Sequence, residues 1–149
     1  MERSKKRYYL AYGSNLNLAQ MKRRCPESER VGTAEIFGYR LLFKGQVRHY
    51  LTIEEEKGKS VPVGVFAVNE EDESRLDEYE AFPDLYYKKD FKVKLNETGQ
   101  EIDAFAYIMW ERFPLGEPTD VYIETVRQGY QDFGFDFALI EEALSDSKR

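Results

Sequence analysis

The sequence predicts an α+β fold: a small mixed β-barrel with flanking helices. Two observations carry this. Apolar alternation of strand type recurs as far as Trp110, broken by helical spacing after the first strand and again in mid-chain. From Thr119 onward the period is that of a helix. Closure into a barrel rests on the number of strands alone. The 149 residues suffice for one domain with a sizeable core, read here as residues 1–149 with a core of about 8–144.

Tyr8 to Ala11 opens the chain as a strand and runs into the turn Tyr12-Gly13-Ser14-Asn15-Leu16. Leu18, Met21 and Cys25 then fall at helical spacing. Asn17 stands at the N-cap, with Gln20 three places on in a capping-box pattern. Ala34 to Lys44 has strand character, with Gly38 as a bulge. Tyr50 to Ile53 reads as a short strand, Glu54 to Ser60 as an exposed charged turn, and Val61 to Val68 as a buried strand. Asn69 caps a helix whose first turn holds Glu70, Glu71, Asp72 and Glu73, where acidic groups favour the helix dipole. That helix is expected to end at Pro83. Tyr86 to Leu95 alternates again, Asn96 to Gln100 turns, Ala104 to Trp110 is a further strand and Phe113 to Pro118 a loop. Tyr122, Val126, Gly129, Tyr130 and Phe133 form one apolar helical face ending at Gly134, and Asp136 caps a last helix with Phe137, Ile140 and Leu144 inward. Ser145 to Arg149 reads as frayed.

Composition excludes several functions. A net charge of −6 argues against a broad nucleic-acid surface. The one basic cluster, Arg3, Lys5, Lys6 and Arg7, lacks the apolar run of a signal peptide and reads as a solvated N-terminus. No apolar run approaches membrane-spanning length. A single cysteine allows no internal disulfide and fits a reducing cytoplasm. The aromatic share of 15% suits strands and a lined pocket.

Few groups are available for catalysis. His49, the only histidine, precedes a strand in a polar stretch and reads as a surface residue; any Ser-His-Asp triad would depend on it. Cys25 lies on the apolar side of a helix and reads as a small core residue. One cysteine and one histidine cannot supply a structural zinc site, and there is no calcium loop, phosphate-binding lysine loop or dinucleotide glycine motif. Acid–base work falls to a carboxylate, a tyrosine or a lysine. Glu80 stands out, because four residues after Leu76 it shares that residue's inward face beside Phe82 and Pro83, whereas Asp77 and Glu78 are rotated away. A carboxylate held against aromatic groups becomes a usable base near neutral pH. A partly exposed glutamate ending an acidic helix has the same spacing and is the commoner case. The Tyr12–Leu16 turn is similarly double. A strand, a glycine turn and a helix start place unpaired N–H groups side by side, which suits an anion or oxyanion, yet ordinary strand-to-helix turns look the same.

Read as a set, these pieces resemble the gamma-glutamylcyclotransferase family and its AIG2-like relatives. Tyr12-Gly13-Ser14-Asn15-Leu16 is similar to the family's opening loop. Gly32-Thr33-Ala34 through Gly38-Tyr39-Arg40-Leu41 resembles its next strand, and Val61-Pro62-Val63-Gly64-Val65 the strand before its acidic helix. Leu76-Asp77-Glu78-Tyr79-Glu80 matches its LDxxE segment, Tyr86-Tyr87-Lys88 follows at the expected distance, and Pro118-Thr119-Asp120-Val121-Tyr122 is similar to its late Pro-Ser-x-x-Tyr piece. The likeness spans roughly residues 8 to 130. Ala81 stands where many members have glycine, and Thr119 replaces the usual serine.

The resemblance implies a small barrel-like fold and intramolecular cyclotransfer on a gamma-glutamyl amino acid or amine, releasing 5-oxoproline. It implies Glu80 as general acid/base and a glutamyl pocket formed by Tyr12, Gly13, Ser14, Asn15, Leu16, Tyr86 and Tyr122. No cofactor or metal is expected, and the expected partner is a small gamma-glutamyl molecule rather than nucleic acid or membrane. A non-catalytic sensor of such metabolites, or an interaction domain built on the Tyr122/Val126/Tyr130/Phe133 stripe, are the alternatives. The leaving group and the oligomeric state are left open.

Overall fold

The computed structural model describes residues 6–148. Arg3 and Lys5 of the basic cluster lie outside that range. Lys6 and Arg7 are exposed and pair with Glu29 and Glu73. In chain order come β1 (Arg7–Ala11), a single 3-10 turn (Ser14–Leu16), α1 (Leu18–Arg24), β2 (Glu29–Lys44), β3 (Tyr50–Val68), α2 (Glu70–Tyr79), β4 (Tyr86–Lys94), β5 (Glu101–Met109), α3 (Asp120–Phe133) and α4 (Ala138–Ser147).

The strands form one five-stranded sheet in the order β2-β3-β1-β5-β4. β1 lies in the middle, antiparallel to β3 and parallel to β5. The sheet does not close into a barrel. Its edge strands β2 and β4 are not paired. They are brought together by the β4–β5 turn, where the Asn96 N–H donates to the Thr33 carbonyl (2.8 Å) and Glu97 accepts from the Thr33 N–H (2.9 Å). Closure requires a continuous ladder of fixed stagger. Here the outer edge strand carries Lys88, Lys89, Asp90, Lys92 and Lys94, charges that keep an edge from pairing.

The second departure from expectation is at Glu54 to Ser60. This is not a turn between two strands but the middle of one strand, β3. β2 flanks it, matching Arg40 with Glu54 and Tyr39 with Glu55 and then Phe37 with Ser60, so residues 56–59 stand without register partners opposite Gly38. The charges that read as a turn lie at and beside this break in the ladder, among them Glu56 paired with Arg40 (3.3 Å). The expected bulge at Gly38 is present, as a register shift between Phe37 and Tyr39 with Gly38 at φ 80°.

The expected caps at Asn17 and Asn69 form, and Thr119 adds one that the spacing did not single out. Asn17 accepts from the Gln20 N–H (3.0 Å), Asn69 from Asp72 (2.8 Å) and Thr119 from Tyr122 (3.2 Å), each satisfying a donor the helix leaves free. α3 ends at Gly134 in the left-handed conformation; Asp136 accepts from the Ala138 N–H (2.9 Å) but is not the cap expected of it, because α4 begins after Phe137, which makes no side-chain cap bond. α4 runs to Ser147, beyond the point expected to fray, and buries Ile140, Ala143 and Ser147, while Phe137 and Leu144 are half-buried. The core is continuous across the sheet. Leu10, Phe43, Ile53, Leu76, Phe105 and Ile108 are fully buried, each worth about 1.5–3 kcal/mol. Among the described residues no helix is long and apolar enough to cross a membrane.

One contact places the site. Gly129 of α3 lies against the backbone that follows β1. A Cβ there would stand 2.6 Å from the Asn17 nitrogen and 2.7 Å from the Leu16 carbonyl carbon. A side chain at Gly129 would push the turn away, so glycine fixes how closely α3 seats it.

Candidate active site

A cavity of about 260 Å³ opens between the turn after β1 and the end of α2. Tyr12, Gly13, Ser14 and Asn15 form one wall and Tyr79, Glu80 and Ala81 the facing one. Tyr9, Tyr50, Leu51, Leu85, Tyr86, Tyr107 and Tyr122 complete the lining. Of the residues named from the sequence, Glu80, Tyr12, Gly13, Ser14, Asn15, Tyr86 and Tyr122 come together here. Leu16 does not: it is fully buried, and its side chain packs toward Gly64 and Gly129.

The turn is held from several sides. The Leu16 N–H donates to the Gly13 carbonyl and the Asn17 N–H to the Ser14 carbonyl, both at 3.0 Å. Among the described residues, the N–H groups of Gly13, Ser14 and Asn15 find no hydrogen-bond acceptor. Asn15 donates from Nδ2 to the Tyr9 hydroxyl (2.9 Å) and accepts from Arg24. The Ser14 and Tyr79 hydroxyls lie 3.2 Å apart, joining the two walls. Gly13 has φ −128°, so its freedom to take left-handed angles is not what the turn needs. It needs room: a Cβ would meet the Tyr122 hydroxyl at 3.3 Å and Leu51 at 3.4 Å.

α2 stops at Tyr79, earlier than Pro83 suggests, and Glu80 is its C-cap. The Glu80 N–H still reaches the Leu76 carbonyl (2.8 Å), so Glu80 keeps the inward face on which the spacing put it. Ala81 then turns the chain at φ 50°. The Glu80 carboxylate makes no hydrogen bond or ion pair with any described residue. Burial pushes its pKa up to about 8, against a smaller opposing pull from the Arg24 guanidinium. At that value it exchanges a proton readily near neutral pH. Its neighbours are spent elsewhere. Asp77 accepts from the Tyr107 hydroxyl (2.6 Å) and pairs with Lys88 (2.8 Å), and Glu78 is exposed.

The tyrosines are neutral struts. Tyr12 donates to the Tyr107 carbonyl, Tyr86 to the Leu51 carbonyl (2.8 Å), and the Tyr122 hydroxyl accepts from the Leu51 N–H (3.0 Å). Burial, and then the Glu80 charge, hold the Tyr9, Tyr12 and Tyr86 phenols well above the usual range. Sequence reasoning missed Tyr9, Tyr50, Tyr79 and Tyr107; the signal was the tyrosine-rich composition, which gives no positions. It also missed Arg24, whose guanidinium lies 3.2 Å from the centre of the Tyr79 ring.

The remaining candidates lie elsewhere. Cys25 is buried, its thiol is pushed up to about 12 by burial, and it contacts the Asp72 carbonyl (3.5 Å). His49 is half-buried and lines a second cavity of about 200 Å³, which shares Ser14, Tyr50, Tyr79 and Tyr122 with the first. Among the described residues no three His, Cys, Asp or Glu side chains gather as metal ligands would.

An open five-stranded sheet with a carboxylate facing a glycine turn defines the class of this protein. The model of the family "Gamma-glutamyl cyclotransferase, AIG2-like" matches residues 9–126, so the chain belongs to that family. Among solved structures, a gamma-glutamyl cyclotransferase superposes with a TM-score of 0.82 at 24% identity, over 93% of this chain and 86% of the other. The uncharacterized human protein loc79017 gives 0.81 at 25% identity over the same shares. YkqA of Bacillus subtilis gives 0.76 at 18% identity, covering 96% of this chain and 54% of its own. No curated protein matches the chain.

Proposed function

We propose that the protein cyclises a gamma-glutamyl amino acid or gamma-glutamyl amine to 5-oxoproline, releasing the amino acid or amine, with Glu80 as general acid/base. One observation carries this reading: a carboxylate with no partner among the described residues, pushed up to about pKa 8 by burial, faces the turn whose Gly13, Ser14 and Asn15 N–H groups find no acceptor among them. Membership of a cyclotransferase family supports it.

The substrate holds its own nucleophile. Glu80 takes a proton from the α-ammonium, and the amine attacks the γ-amide carbonyl carbon. A five-membered ring closes, and negative charge gathers on the carbonyl oxygen. The N–H groups of Gly13, Ser14 and Asn15 are donors for that oxygen, set before the reaction begins. As the amide C–N bond breaks, Glu80 returns the proton to the departing nitrogen, and the ring nitrogen gives up its second proton to solvent, leaving the lactam N–H. The tyrosine lining folds the glutamyl chain so that amine and carbonyl meet.

The sensor reading keeps the same pocket without turnover and would use the Glu80 carboxylate only to hold the α-ammonium; release of 5-oxoproline separates the two. The interaction-domain reading needed an exposed aromatic stripe. Val126, Tyr130 and Phe133 are buried and Tyr122 lines the cavity. The test is 5-oxoproline release across a panel of gamma-glutamyl amino acids, alkylamines and ε-lysine conjugates. Release from at least one class is expected, undiminished by exhaustive chelation. Release from none overturns the proposal.

A further inference from the structure

We propose that Arg24 is the positioning residue of this site: its guanidinium, bonded to Asn15 and stacked on Tyr79, ties the turn to the end of α2 and supplies the positive charge that acts on the Glu80 carboxylate. The proposal rests on the reading of Glu80 as the acid/base group.

Arg24 is the last residue of α1 and does not line the cavity. It stands behind both walls. Nη1 donates to Asn15 Oδ1, while Asn15 holds the Tyr9 hydroxyl with its other end. The same guanidinium lies over the Tyr79 ring, 3.2 Å from its centre, and Tyr79 directly precedes Glu80. Gln20, one turn earlier, accepts from Nη1 (3.0 Å) and Nη2 (2.7 Å) when its amide is oriented toward them. Among the described residues Arg24 forms no ion pair, so no closer carboxylate neutralises it.

The other groups that face Glu80 are phenols. Tyr9 and Tyr12 come from β1 and its turn, Tyr50 from β3, Tyr79 from α2, Tyr86 from β4, Tyr107 from β5 and Tyr122 from α3. Lys88 on β4 is bound to Glu73 (2.6 Å) and Asp77 (2.8 Å). Arg24 is therefore the charge that offsets the desolvation of Glu80. A full ion pair would drive a carboxylate far down and spoil it as a base. A cation held one residue away trims it only partly.

The experiment compares wild type with Arg24→Met and Arg24→Lys. The Glu80 carboxyl is titrated by NMR, assigned through Glu80→Gln, and the pH profile of kcat/KM is measured for 5-oxoproline release. In Arg24→Met the Glu80 midpoint and the acidic limb should both rise by about one pH unit. Near pH 7 kcat/KM should then fall about tenfold. Arg24→Lys should restore the midpoint, since it keeps the charge, while KM stays raised because the stacked fork is lost. An unchanged midpoint in Arg24→Met overturns the proposal and leaves Arg24 a purely structural tie. Equal midpoint shifts in both variants overturn it too. Arg24→Gln, neutral but still able to donate to Asn15, carries the test if Arg24→Met does not fold. The titration needs no turnover, so it decides this proposal even where the release assay overturns the functional one.

Discussion

The turn after β1 and the end of α2 face one cavity but are held in different ways. The turn is anchored throughout: Leu16 in the core, Gly129 against its backbone, Asn15 between Tyr9 and Arg24. What it leaves free is backbone N–H. The end of α2 is tied through Leu76, Asp77 and Tyr79 and then presents a carboxylate that no described residue binds. The rigid wall suits donors, which act by being in place before charge develops. The unpartnered group suits proton transfer, because an ion pair would fix its charge. The difference assigns binding to the turn and chemistry to the helix end, and each assignment can be broken separately.

The largest effect should come from Glu80→Gln. It keeps the shape but cannot take a proton near neutral pH, so turnover should fall about 10²–10⁴-fold. KM should change far less, since the turn is untouched. Glu78→Gln, an exposed carboxylate on the same helix, is the control and should be nearly silent. Equal losses in the two variants would mean that the acidity of the whole helix matters, and the division between the walls would fail.

Gly129→Ala strikes the other wall. The added methyl would sit 2.6 Å from the Asn17 nitrogen, and backbone must yield. A stability loss of about 1–3 kcal/mol is expected by denaturant unfolding. Because the displaced segment carries the free N–H groups, both KM and kcat should suffer. Normal kinetics in a destabilised variant would show that the turn's position is less critical than its anchoring suggests.

The Glu80 wall should also reveal itself in stability. Its pKa is raised from 4.5 to about 8 by burial, so between those values the folded protein holds a proton that the unfolded chain has lost. Rising pH through that window therefore costs stability, as a charge is left in a poorly solvated cavity. Glu80→Gln does not pay this cost. Melting of both proteins from about pH 5 to about pH 9 should show the variant gaining on wild type by about 1.4 kcal/mol per pH unit up to about pH 8, about 4 kcal/mol at most. A constant gap across that range would mean that Glu80 titrates near its ordinary value.

The sequence made local features legible and long-range ones only in part. Asn17 and Asn69 each cap a helix as their spacing requires, because a cap is settled within four residues. The inward face of Glu80 was legible for the same reason. β3 was not legible as one strand, since the charges of Glu54 to Lys59 look like a turn until β2 lies beside them. Barrel closure depends on stagger between strands far apart in the chain, which strand number does not reveal. The tyrosines of the cavity come from separate elements, and no spacing links Tyr9 to Tyr107 or Arg24 to Tyr79.

The smallest effect concerns Ala81, which stands where many family members have glycine. It follows Glu80 at φ 50°, a left-handed angle that costs a residue with a Cβ about 1–2 kcal/mol. Glycine accepts the angle freely but loses more chain entropy on folding, by about 0.5–1 kcal/mol. Ala81→Gly should therefore stabilise the protein, by about 1 kcal/mol at most. The kinetic consequence separates two uses of the alanine. Ala81 lines the cavity, so removing its methyl widens the wall next to the carboxylate. If the alanine serves to restrict the pocket, Ala81→Gly should broaden the range of gamma-glutamyl compounds released while kcat on the preferred one holds. If instead it stiffens the hinge that aims Glu80, kcat should fall for every substrate together. The release panel, run on this one variant, distinguishes the two. Only the second outcome would extend to the end of α2 the rigidity that the turn already has.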